Sequence, residues 1–124
     1  MDRNPYYDRM GKAKEARNAI VFRDSEACTI LGMHITEVRG GPGLLLKNCR
    51  RMNLSGCSVL DCAEGGVALE NSSDCLLSGF LVRADTLAKP GLSLSVKGGS
   101  ANRISGGLWA NGINAPKESV TVVP

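Results

Sequence analysis

Gly43-Leu44-Leu45-Leu46-Lys47-Asn48-Cys49, followed by Met52-Asn53-Leu54-Ser55-Gly56-Cys57-Ser58-Val59, is the stretch that decides the fold of this chain. Leu44 and Leu46 alternate with Leu45 and Lys47, the period-2 signature of a strand with one buried face. Residues 47–51 are polar and turn the chain. Met52 and Leu54 alternate again, Gly56 makes a bend, and Cys57 and Val59 supply a third short alternation. Residues 61–65 read as a loop. The segment is three short strands joined by tight turns, with no run of helical period.

The same unit recurs on both sides. Gly32, Gly56, Gly79 and Gly106 follow one another at intervals of 24, 23 and 27 residues. Ile30, Leu54, Leu77 and Ile104 stand two residues before them, and Ile35, Val59, Val82 and Trp109 three residues after. The opening strands read Ile20 and Phe22, Leu44 and Leu46, Val67 and Leu69, then Leu92 and Leu94. Self-similarity at such a period marks a solenoid, one unit stacked on itself. The fourth repeat drifts: two extra residues precede Ile104, and Gly106-Gly107 leaves open whether Leu108 or Trp109 turns inward. A leucine-rich repeat has a similar period, but its L-x-x-L-x-L-x-x-N signature is absent, as is a hexapeptide sub-period. The expectation is an all-β solenoid of about four to five short coils, its parallel ladders ~4.8 Å apart and its height on the order of 20 Å.

Composition narrows the partners. The chain of 124 residues suffices for one domain, and aromatic content of 4% leaves the core to aliphatic residues and cysteine. A net charge of +3 with both signs interspersed does not form the basic stripe that nucleic acid requires. No apolar run approaches the ~20 residues of a membrane span. The first residues show no signal peptide, so the expectation is an intracellular protein or a segment of a larger secreted one. Five cysteines cannot all pair within the chain. Cys28, Cys57 and Cys75 share repeat columns with Met and Phe, which reads as reduced, buried hydrophobes. No C-x-x-C spacing supports zinc.

The ends depart from the repeat. Residues 1–18 contain good helix formers around Lys12 to Arg17 and are expected to form a short N-terminal capping helix or a flexible arm, with Tyr6, Tyr7 and Met10 as a lid. Repeats are expected over 19–112. Residues 113–124 are expected to be a C-terminal strand or cap, Ser119 to Val123 either completing a fifth coil or pairing with another chain. Self-association through a solenoid end or edge follows as an expectation.

Residues 43–49, 52–59, 66–72 and 75–82 together resemble the right-handed parallel β-helix repeats of the pectin-lyase-like superfamily, a likeness covering roughly residues 19–112. The resemblance implies a single-stranded right-handed parallel β-helix, and says little about activity. In that family stacked asparagines often fill the bend between the second and third strands. This chain has glycine there, and its own candidate ladder is Asp24, Asn48 and Asn71.

Enzymes of that superfamily work on acidic polysaccharides at an outer strand face beside a loop, through clustered carboxylates, often with calcium, or through a basic residue. The matching outward column here is Arg23, Lys47 and Glu70, followed by Ser95. Read as function, Lys47 is a cation for a sugar carboxylate and Glu70 a hydrogen-bond acceptor. Read as structure, the column is a cross-strand ion pair worth ~0.2–1 kcal/mol. A calcium site would draw on Asp61, Glu64 and Asp85, and otherwise no cofactor is expected. His34 should face outward. No Asp-Asp or Asp-x-Asp pair offers the two acids of a glycosidase. The expected function is therefore a non-catalytic β-helix module, binding carbohydrate or serving a larger polysaccharide-acting or surface protein. The alternatives are a small lyase, epimerase or hydrolase acting on an acidic polysaccharide, and a structural, oligomerising segment of an adhesin or spike-like protein.

Overall fold

The computed structural model describes residues 19–85 and 89–123. These form a parallel β-solenoid of about four turns, and no described residue is helical. The first coil contains β1 (Ile20–Arg23), β2 (Thr29–Leu31) and β3 (His34–Thr36). The second contains β4 (Leu44–Lys47), β5 (Asn53–Ser55) and β6 (Ser58–Leu60). The third contains β7 (Val67–Glu70), β8 (Leu76–Ser78) and β9 (Leu81–Arg83). The fourth contains β10 (Leu94–Lys97), β11 (Asn102–Ser105) and β12 (Leu108–Trp109). β13 (Ile113–Asn114) and β14 (Val120–Val123) begin a fifth. Equivalent strands stack in three parallel sheets, ordered β1-β4-β7-β10-β13, β2-β5-β8-β11-β14 and β3-β6-β9-β12. The expected capping helix falls in residues 1–18 and lies outside the described residues.

Each sheet turns one side-chain column inward. Leu44, Leu46, Leu54, Leu69, Leu77, Leu94 and Ile104 are completely buried. Val59, Val82 and Phe80 fill the third side, and Trp109 stacks on Phe80 with ring centroids 5.5 Å apart and planes 12° from parallel. Trp109 pairs with Val82 and Leu108 with Leu81, so Trp109 is the inward residue of that strand. The recurring glycine takes the left-handed conformation in every coil, with φ of 69°, 66°, 64° and 64° at Gly32, Gly56, Gly79 and Gly106. A side chain there would be strained, and this accounts for the repeat of glycine between the second and third strands.

The register of the fourth coil corrects the sequence reading. Leu94 pairs with Val67, Ser95 with Ala68, Val96 with Leu69 and Lys97 with Glu70. The inward pair is therefore Leu94 and Val96, while Leu92 is 44% exposed in the loop before the strand. The extra residues lie in that loop, where a solenoid accommodates length without disturbing its ladders. In the outward column Lys97 takes the place expected for Ser95.

The column Asp24, Asn48 and Asn71 shares a backbone feature. All three have φ between 50° and 57°, and Gly98 continues them at 69°. Asn and Asp tolerate this conformation better than other side chains, so the column marks a left-handed corner. The strand at Val120–Val123 pairs in register with Asn102–Ser105 and belongs to the fifth coil.

All five cysteines are buried and none is in a disulfide. Cys28 and Cys75 lie in one interior column with Met52. Burial raises the thiols of Cys49, Cys62 and Cys75 above their usual value of 9.0, keeping them neutral and poorly reactive. Cys49 and Ser72 occupy equivalent corners. The Cys49 thiol contacts the Phe22 carbonyl at 3.2 Å, and the Ser72 hydroxyl donates to the Leu46 carbonyl at 3.1 Å and accepts from the Cys49 N–H at 3.1 Å.

Candidate functional site

The outward face of the first sheet carries two parallel columns. Val21, Leu45, Ala68 and Ser95 form one, and Arg23, Lys47, Glu70 and Lys97 the other. Neighbours in a column are one ladder step apart, ~4.8 Å at the backbone. The sheet thus brings together all three expected residues, Arg23, Lys47 and Glu70, and adds Lys97. Three cations and one carboxylate line up along the solenoid axis, with Glu70 between two lysines.

At the fourth-coil end of this face the loops rise into a groove of about 250 Å³. Its floor is Ala68 and Glu70 of β7 with Ser95 and Lys97 of β10, and its walls are Pro42, Glu64, Gly65 and Leu92. The walls are fixed by backbone hydrogen bonds that continue the sheet ladder into the loops. Gly43 N–H donates to the Gly65 carbonyl at 3.1 Å, and Gly66 N–H to the Leu92 carbonyl at 2.9 Å. The loops also touch at Gly91, where a Cβ would lie 2.7 Å from the Gly65 nitrogen. A groove held this way is preformed, which lowers the ordering cost of binding.

The groove sorts the sequence candidates. Glu70 and Glu64 both line it, from a strand and a loop. Arg23 and Lys47 extend the charged column beyond it, toward the first coil. Asp61 and Asp85 lie apart from its lining and structure the adjoining loops: the Asp61 carboxylate accepts from the Asp85 N–H at 2.9 Å, and the Asp85 carboxylate pairs with Arg83 at 2.9 Å. Among the described residues no three His, Cys, Asp or Glu side chains form a group suited to a metal ion. His34 pairs with Ser58 on the third sheet, away from the groove.

Sequence reasoning missed Lys97, Leu92 and Pro42. Lys97 was legible, because Leu94 precedes Ile104 by the same interval that separates Val67 from Leu77. The hydrophobic alternation beginning at Leu92 masked that spacing. Leu92 and Pro42 belong to loops, whose path no periodicity dictates.

Comparisons of the chain with protein-family models, with curated proteins and with solved structures find no match. Among the described residues no helix is long and apolar enough to cross a membrane.

Proposed function

We propose that this chain is a non-catalytic glycan-binding module whose ligand lies along the outward face of the first sheet. The supporting observation is the groove in which Glu70, Ser95, Lys97 and Glu64 present hydrogen-bonding side chains beside the apolar wall of Leu92. A few polar groups around an apolar surface suit a sugar ring, which needs its hydroxyls matched and its C–H face covered. The groove is smaller than the ~300–1,000 Å³ typical of drug-sized ligands, so it fits about one sugar unit. Arg23 and Lys47 continue the face as cations, which favours a glycan bearing carboxylates on neighbouring units. Such a module would serve a larger polysaccharide-acting or surface protein, a role that rests on fold analogy alone.

One observation favours the enzymatic alternative. Glu64 and Glu70 share the groove, and glycoside hydrolysis uses two carboxylates about 5–10 Å apart across the scissile bond. The decisive experiment is incubation with a panel of acidic and neutral polysaccharides, measuring both retained glycan and released reducing ends. Retention of an acidic glycan without new ends, weakened at least tenfold by Lys97→Glu, is the expected result. New ends that vanish in Glu70→Gln would make the chain an enzyme. A panel neither retained nor cleaved would overturn both readings in favour of a structural role.

A further inference from the structure

The outward charged column of the first sheet alternates in sign where it meets the groove. Lys47 and Lys97 are the ladder partners of Glu70 on its two sides, each one step, ~4.8 Å, away at the backbone. Arg23 stands one step beyond Lys47. Glu70 nevertheless pairs with neither lysine: among the described residues the side chains of Lys47, Glu70, Ser95 and Lys97 make no ion pair or hydrogen bond. Their bonding capacity is open to a ligand. The depression itself comes from the neighbouring column, whose side chains shorten from Val21 and Leu45 to Ala68 and Ser95. Ala68 lies between Glu70, at the end of β7, and Glu64, in the loop before it, and both carboxylates line the groove.

Building on the glycan-binding reading above, we propose that the groove takes the amino-sugar unit of a glycan in which amino sugars and uronic acids alternate, the amine being free and protonated. A uronate in this place would set its carboxylate against Glu64 and Glu70 within one groove of about 250 Å³, and like charges so confined disfavour binding. An ammonium is attracted by both glutamates and donates charge-assisted hydrogen bonds to Glu70. The flanking units then bring their carboxylates over Lys47 and Lys97. The ligand's sequence of minus, plus, minus is the complement of the column's plus, minus, plus. A homopolymer of uronic acids lacks that complement at Glu70, and a neutral glycan lacks it at all three positions.

Hyaluronan and its de-N-acetylated form, compared at equal chain length and ionic strength, test this directly. Both alternate an amino sugar with a uronate, and only the second carries free amines. The second is also the less anionic polymer, so general attraction to a chain of net charge +3 favours the first. The expected result is a dissociation constant at least tenfold lower for the de-N-acetylated polymer than for hyaluronan or polygalacturonate. Glu70→Gln should abolish that preference, Glu64→Gln should reduce it, and Lys47→Glu should weaken binding of both hyaluronan forms. The Gln variants keep side-chain size and remove charge, which separates an amine contact from simple exclusion of the bulkier acetyl group. Equal or weaker binding of the de-N-acetylated polymer, polygalacturonate bound as tightly, or a preference that survives Glu70→Gln would each overturn the amino-sugar assignment while leaving the glycan-binding reading in place. Retention of none of these polymers, nor of any other in the panel above, would overturn both.

Discussion

The corner after the first strand has the same backbone in the third and fourth coils and a different filling. In the third coil it runs through Asn71, Ser72, Asp74 and Cys75. In the fourth it runs through Gly98, Gly99, Ala101 and Asn102. Asn71 and Gly98 are both left-handed, as are Asp74 and Ala101. Yet Cys75 sits in an interior column with Met52 and Cys28, while Asn102 places a 2%-exposed amide there. The amide is fully used. Its oxygen accepts from the Cys75 N–H at 3.0 Å, and its nitrogen donates to the carbonyls of Ser72 at 2.8 Å and Ser119 at 3.1 Å. The next chain segment explains the change. The third coil has a complete coil on each side, whereas the fourth is followed by the short connection 115–119. An apolar column suffices where both neighbouring coils are regular; where the following segment is irregular, a side-chain amide bridges the backbone groups.

The largest test of this contrast is in the regular region. Leu77→Ala removes a completely buried side chain packed between coils on both sides and should cost about 2–5 kcal/mol of unfolding free energy. Val122→Ala, at the open end of the same column, should cost under about 1 kcal/mol, because less than full burial is lost. Equal losses in chemical denaturation would mean that the open end is covered in solution.

Legibility in the sequence followed the same division. The three-strand unit, its inward columns and the stacking were readable because packing imposes period 2 along each strand and period ~24 along the chain. The same periodicity puts Arg23, Lys47 and Glu70 on one face. The fourth coil misled because Leu92 continues the alternation of Leu94 and Val96 without being in the strand. Local pattern cannot separate an inward leucine from one on a groove wall. The groove itself, including Glu64 beside Glu70, depends on loop paths set by tertiary contacts.

Gly99 sharpens the contrast at the corner. Its φ is 76°, and a Cβ there would overlap the backbone carbonyl of Ser72, the equivalent position one coil earlier. Gly99→Ala should therefore cost about 2–4 kcal/mol, combining left-handed strain with backbone displacement. Ser72→Ala, in the third coil, removes a hydroxyl that bridges two carbonyls and one N–H, and should cost about 1–2 kcal/mol. The reverse order in thermal unfolding would show that the corner relaxes more readily than its contacts suggest.

Asn102→Cys puts the third coil's own residue at the fourth coil's position. If the irregular connection is what calls for an amide, the change leaves the Cys75 N–H and the Ser72 carbonyl without this partner and should cost about 1–3 kcal/mol. A variant as stable as the parent in urea titration would break the comparison. The column would then accept cysteine in either coil, and Asn102 would need another explanation.

The smallest expected effect has the opposite sign. Ala27, Arg51, Asp74 and Ala101 hold one corner position in successive coils, with φ of 60°, 55°, 56° and 59°, and none is glycine. A left-handed alanine carries about 1–2 kcal/mol of strain, which glycine removes. Glycine returns about 0.5–1 kcal/mol of this by giving the unfolded chain more freedom. Ala101→Gly should therefore stabilise the fold by about 0.5–1 kcal/mol. Ala68→Gly, within the extended strand β7, should destabilise it by a similar amount, since no strain is relieved there. Opposite signs in parallel denaturation curves would show that the corner conformation is imposed by the stacked coils against local preference; equal signs would mean that Ala101 leaves the left-handed region in solution.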